Sequence, residues 1–461
     1  MKQLWLTLLL LWLLSLLSTH HAFQHMQYLR ERFNSTFHHQ CSKYPFVQKY
    51  YDLLDMPGKK YVDFVFQEGR LRNGGLGDRL AGMVTAMEFA LRFDRILLVR
   101  SSTGFGELFE PYHGYGGSRP HVRYSYENWT SWTQYDTHWH DHDETEYDLF
   151  DCINTTGLKN AHCSMQGGDV AVPVILYRGN RIYLCRDYGD RSLPSHADLV
   201  RLVGEQHMAS LDLFQVAGCM LRLALWPTDL LWQRAEQVYD QLSRHIPALH
   251  QPPAPARRLS TQRDRASLFQ VGMHFRCGDG AYLKGGGARD QGCLLDASSP
   301  PQQQRGGSAY NPYMDCGTPA EISRCAAQLL TNQSLASPSK RQTALTFSAS
   351  DSLLAAQHMS DLIPPQLAIG ALTSPPGCHI ELTATLACLA ETAAYWLVLS
   401  LSDAIVMPMQ GEAGQASSNS AFSRMASIYS LHRDAAFDPH NCGHPTPTRL
   451  MALRQNGNWF C

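Results

Sequence analysis

Tyr61-Val-Asp-Phe-Val-Phe66, Asn73-Gly-Gly-Leu-Gly-Asp-Arg-Leu80 and Arg95-Ile-Leu-Leu-Val99 follow one another within forty residues or so of the chain. The first is a short apolar run with β-branched residues and reads as a buried strand. Leu71 to Asp78 reads as a turn. From Asp78 to Arg92 the apolar residues Leu80, Met83, Val84, Met87 and Leu91 recur at helical spacing and define one apolar face. Arg95 to Val99 is strand-like again. Strand, glycine loop, helix and strand in that order make a βαβ unit, which predicts an α/β protein with a parallel, doubly wound sheet.

The same alternation returns later, with strands expected at 268–275, 343–349 and 402–407 and helices between and after them. Helical patterns also cover Ala197 to Ile246, broken at Trp226-Pro227. Gln251-Pro-Pro-Ala-Pro-Ala256 is the clearest linker. A chain of 461 residues exceeds one ordinary core, so two domains of roughly 200 residues are expected. The boundaries read as 23–250 for an N-terminal α/β domain on the acceptor side and 251–264 for the linker. A C-terminal α/β domain that holds the nucleotide follows at 265–461, with a cleft between the two. Residues 23 to 57 form an aromatic lead-in, either a stem or a first packed helix. Residues 101–170, rich in Tyr, Trp, His, Gly and Asp, read as a long irregular insertion suited to a binding surface. Gly280 to Ser308 reads as an excursion beside the strand that ends at Phe275.

Residues 1–22 address the chain. Leu4 to Leu17 is almost wholly Leu and Trp, shorter than the about 20 residues of a full span. It reads as a cleaved signal peptide or as a short type II signal-anchor, and either delivers the chain to the lumen of the secretory pathway, Golgi or endoplasmic reticulum. Tyr395 to Met407 is apolar but carries Asp403, so it reads as core. Four sequons agree with a luminal protein, at Asn34, Asn128, Asn154 and Asn332. Thirteen cysteines without paired CxxC motifs fit scattered disulfides, with Cys152 and Cys163, and Cys316 and Cys325, near enough in sequence to pair. A formal net charge of -2 and 17% charged residues give no electrostatic case for a nucleic-acid partner.

Ligands of open α/β sheets sit at the carboxyl ends of strands, near helix N-termini. Gly74, Gly75 and Gly77 follow the first strand. His274-Phe-Arg-Cys-Gly-Asp279 puts Arg276 at the end of another, and Asp351 and Ser352 follow Thr346-Phe347-Ser348. Ser420, Ala421, Phe422 and Ser423 open a helical stretch running to Leu431. Backbone amides at a helix start, with serine hydroxyls, can hold a diphosphate without a metal. An arginine that forks onto phosphate oxygens would neutralise the charge of a leaving nucleoside diphosphate. Asp351 could accept from a guanine edge or a ribose. Together these pieces suit a sugar nucleotide, and no glycine loop carries the lysine a P-loop would use.

NGGLGDRLAG, VGMHFRCGD, FSASDS and SDAIVMP…NSAFSRMA fall in the order seen in GDP-fucose-dependent fucosyltransferases of the GT-B type, and the chain resembles that superfamily from about residue 60 to 430. Its protein O-fucosyltransferase, α1,6- and α1,2-fucosyltransferase branches share a glycine-rich loop, an H-x-R-x-G-D signature and a late S-x-F-S segment. The resemblance implies two Rossmann-type domains facing a cleft and inverting transfer of L-fucose from GDP-fucose to a glycan or glycoprotein hydroxyl, with no cofactor and no metal. It makes Arg276 the arginine on the β-phosphate. The donor contacts expected are Gly74, Gly75, Gly77, His274, Asp351, Ser352 and the segment Ser420 to Ser423. Many members carry two arginines where this chain has Arg276-Cys277. Asp78 is the candidate base, with Asp279 and His274 as rivals.

Each residue also has a plainer reading. The glycines suit a tight strand-to-helix connection, Arg276 an ion pair with Asp279, and Asp351, Ser420 and Ser423 helix caps. His138-x-His140-Asp-His-Asp-Glu144 holds the residue types of a metal site but reads as a polar surface loop, where Trp129, Trp132 and Trp139 could stack on sugar faces. Another nucleotide sugar, or a secreted carbohydrate-binding protein without turnover, are the rival functions.

Overall fold

The aromatic lead-in is a packed helix. Met26, Leu29, Phe33, Phe37 and Cys41 recur every three or four residues and are all buried, so α1 (26–41) lays one stripe onto the core. The structure is a computed structural model. It describes residues 26–57, 60–66, 75–101, 104–112, 174–177, 182, 184, 188, 191, 194–244, 269–275, 319–336, 344–350, 353–368, 370–373, 385–407, 420–445, 453–455 and 458–460, with Trp5. The leader other than Trp5, the linker 251–264, the excursion 280–308 and the His138–Glu144 cluster lie outside the described residues. Among the described residues no helix is long and apolar enough to cross a membrane.

After α2 (Pro45–Asp55) the expected βαβ unit follows: β1 (Tyr61–Phe66), α3 (Leu76–Arg92) and β2 (Ile96–Ser101). The helix starts at Leu76, inside the stretch expected to be turn. β1 pairs in parallel with β2 and, on its other edge, with β3 (Val174–Tyr177), a strand the sequence did not announce. Helix α3 buries both faces, because it lies between this sheet and other helices. Those that follow are α4 (Pro194–Val203), α5 (Leu213–Ala224) and α6 (Asp229–Arg244), with the expected break at Trp226–Pro227 taking the form of a short bridge to Phe109–Glu110.

The second half runs β4 (Phe269–Phe275), α7 (Pro319–Ala336), β5 (Ala344–Ser350), α8 (Leu353–Asp361), β6 (Gly370–Thr373), α9 (Leu386–Ser400), β7 (Ala404–Val406), α10 (Ala421–Ser430) and β8 (Ala436–Phe437). These strands form one parallel sheet in the order β8-β7-β4-β5-β6. The chain starts at the central β4, winds out to β6, then returns to the other side of β4. This is a doubly wound sheet with its switch point between β4 and β7.

Alternation along β4 gives each face its own partners. Val271, Met273 and Phe275 join a core with Ile322, Cys325 and Ala326 of α7 and Ala355 and Met359 of α8. Gln270, Gly272 and His274 face the other way. A Cβ at Gly272 would stand 2.6 Å from Leu399, so glycine lets α9 lie directly on the strand. The core on this second face is continuous with that of the first half: Phe347, Trp396, Leu397 and Ile428 share a cluster with Val62, Leu80, Met220 and Phe33.

Among the described residues, two disulfides link distant segments. Cys41 is bonded to Cys219, joining α1 to α5. Cys325 is bonded to Cys442, which overturns the expected pairing with Cys316: the α7 cysteine faces the segment after β8, a neighbour only the folded chain provides. Cys152 and Cys163 lie outside the described residues.

Candidate functional site

Three of the sequence motifs meet at one place. Helix α3 begins after Gly75, whose N–H donates to Asp78 Oδ2 at 3.1 Å. This carboxylate therefore caps the helix, a structural duty beside its candidacy as a base. One turn along, Gly77 touches the start of α10. A Cβ there would fall 2.2 Å from the Ala421 carbonyl carbon and from the Phe422 nitrogen. The two helix starts thus press backbone against backbone, and only glycine permits it.

At the start of α10, Ser420 is buried and its side chain forms no capping hydrogen bond, so its hydroxyl is not the cap that one reading assigned it. Ser423 Oγ donates to the Ser420 carbonyl at 3.3 Å and is buried as well. The Phe422 ring stacks on the His274 imidazole, with centres 5.3 Å apart and planes 26° apart. His274 is buried at the carboxyl end of the central strand. First-turn amides of two helices, a stacked imidazole and the switch point of a parallel sheet therefore share one locus. Both helix starts carry partial positive charge, which suits an anion.

The remaining expected contacts flank this locus in the chain. Gly74, Arg276, Asp279, Asp351 and Ser352 lie outside the described residues. The strands leading to Arg276 and Asp351 end side by side, with Phe275 paired to Ser350. Of the sequons, Asn34 is on α1, partly exposed, and Asn332 is exposed on α7, whereas Asn128 and Asn154 lie outside the described residues.

What the sequence reading missed is the apparatus that holds α10. Arg222 of α5 is buried and donates through Nε to the Tyr429 carbonyl at 2.7 Å, and through its terminal nitrogens to the carbonyls of Phe33 at 2.8 Å and Ser430 at 2.9 Å. Burial pulls its pKa down to about 9, with Arg32 adding repulsion and Tyr429 opposing both. The available signal was an arginine inside the apolar run Val216-Ala-Gly-Cys-Met-Leu-Arg-Leu-Ala224. A concavity of about 600 Å³ was missed too, lined by Tyr188, Arg191, His196, Val200, Glu205 and Met208. It borders α4, which is tied to the last turn of α3 by Arg92 and Asp198 at 3.1 Å, the opposite end from Gly77.

No family profile matches the chain. No curated protein does either. Among solved structures it is similar to a mutant of Arabidopsis thaliana FUT1 in complex with GDP, with 14% identity and a TM-score of 0.39. That likeness covers 87% of this chain and 77% of the other.

Proposed function

We propose that this chain is an inverting glycosyltransferase that moves L-fucose from GDP-fucose to a hydroxyl of a glycan or glycoprotein in the secretory lumen. The observation that carries the reading is the convergence of Gly77, the Ala421–Phe422 peptide and His274 at the switch point of the second sheet. These are the segments on which the fucosyltransferase resemblance rests, and they come from distant parts of the chain. The Cys41–Cys219 and Cys325–Cys442 disulfides support an oxidising compartment.

In this reading the amides opening α10 hold the diphosphate and Arg276 neutralises it as it leaves. The acceptor oxygen bonds to the anomeric carbon while the bond from that carbon to the β-phosphate oxygen breaks, its electron pair passing to the phosphate. The acceptor proton goes to Asp78, Asp279 or His274. Neither a metal nor a further cofactor enters.

Calorimetric titration of the purified chain with GDP, GDP-fucose, GDP-mannose and UDP-galactose tests it. Binding of GDP and GDP-fucose is expected. Tight binding of the uridine donor would replace the fucose assignment, and a folded chain that binds no nucleotide would leave a non-catalytic carbohydrate-binding role.

A further inference from the structure

Helix α10 belongs by chain order to the second sheet, between β7 and β8, yet the first half grips its backbone at both ends. At the first turn the grip is Gly77 of α3 against the Ala421–Phe422 peptide. At the last turn it is Gly218 of α5, where a Cβ would fall 2.4 Å from the Ile428 carbonyl oxygen, one turn from Arg222 on the neighbouring carbonyls. The nearest atom in each case is main chain, although the Leu431 side chain also comes within 2.5 Å of the Gly218 position, so no side-chain rearrangement alone could make room for a methyl group. The first turn is also fixed from the other side, through Phe422 stacked on His274 of the central strand.

We infer that Gly77 is a positioning residue rather than a donor contact: by docking α3 onto the Ala421–Phe422 peptide it sets where the first-turn amides of α10 stand. Gly218 secures only the far end of the same helix. The anion site of the second sheet is thus aligned by a residue of the first half. This rests on the nucleotide-sugar reading above, and the two fail separately.

The test compares the full chain with its Gly77→Ala and Gly218→Ala variants, each titrated with GDP and melted, at folded fractions matched by near-ultraviolet circular dichroism. Gly218→Ala should lower the melting temperature while its GDP dissociation constant stays within about twofold. Gly77→Ala should raise that constant by roughly tenfold or more, since displacing site groups by an ångström is severe. An unchanged constant in Gly77→Ala, or equal rises in both variants, overturns the inference and leaves the nucleotide reading intact. Should Gly77→Ala fail to fold, hydrogen exchange of the unmodified chain decides. GDP should protect the amides at 75–78 and at 421–423 together and spare 428–430, and protection confined to one helix start overturns the inference. An unmodified chain that binds no GDP removes both.

Discussion

The guanidinium of Arg222 lies 3.7 Å from the centre of the Phe33 ring while it donates to the Phe33 carbonyl. One side chain thereby ties α1 to α5 and, through the carbonyls of Tyr429 and Ser430, to α10. A planar fork suits this role: it serves three acceptors and still offers a face to an aromatic ring. Lysine cannot reproduce the geometry, and Arg222→Met would leave the carbonyls of Tyr429 and Ser430, at the end of α10, without this donor. Each such carbonyl costs about 1–3 kcal/mol. Arg222→Lys should lose at least about 2 kcal/mol and Arg222→Met more, read as lower melting temperatures and urea midpoints.

Arg276→Ala should reduce transfer by roughly 10²–10³-fold while leaving the melting temperature near that of the unmodified chain. Arg276→Lys keeps the charge but not the fork, and should recover only part of the loss. Initial rates with GDP-fucose and calorimetry with GDP check both, and near-normal turnover in the alanine variant ends the phosphate assignment.

Incubation with a chelator should leave transfer unchanged. Loss of activity, restored by a divalent ion, would instead give the His138–Glu144 cluster a role in the reaction.

His432 supplies a pH signature. Burial pushes its pKa down to about 4, with Arg32 and Arg222 adding repulsion and Asp403 opposing them. In the unfolded chain the same imidazole takes a proton near pH 6.5. Between about pH 6.5 and 4 the unfolded state therefore binds the extra proton, and stability falls as pH is lowered through that window. This group's contribution is fully present above the window and is of the order of 1–3 kcal/mol. Urea midpoints at pH 7 and pH 4.5 should differ less in His432→Gln than in the unmodified chain.

Much of the fold was legible because it is written in local patterns. The strands ending at Phe275 and Ser350 each run seven residues and stand within a residue of the expected span. The helix after Gly75 shows its periodicity plainly. Short elements were not legible: β6 and β8 have too few residues for a period, and their pairing depends on neighbours distant in the chain. Asp403 interrupts an apolar run for a reason visible only in three dimensions. Its carboxylate pairs with Arg32 of α1 at 2.5 Å and accepts the Gln270 N–H at 2.8 Å, at the start of the central strand. The site motifs were recognisable one by one, but their contact was not, since backbone meeting backbone at Gly77 leaves no trace in side-chain pattern. The Cys325–Cys442 bond is of the same kind: nearness in sequence favoured Cys316, and the fold bonds Cys325 to Cys442 instead.

The docking of α1 has a consequence for how the chain comes to be folded. Besides Cys219, Arg222 and Trp226 of the first half, the groups that hold this helix include Asp403, the Leu401 carbonyl and the aromatic ring of Tyr429, which lie far along the chain. Contacts of such long sequence separation form slowly and late. The apolar stripe of α1 is therefore covered in stages: Phe33 and Phe37 pack first on Trp226 and Tyr112, and Phe33 gains the Tyr429 ring only when α10 docks. A molecule arranged in this way completes the packing of α1 only with the second half in place, and a variant lacking α10 should leave one side of Phe33 uncovered.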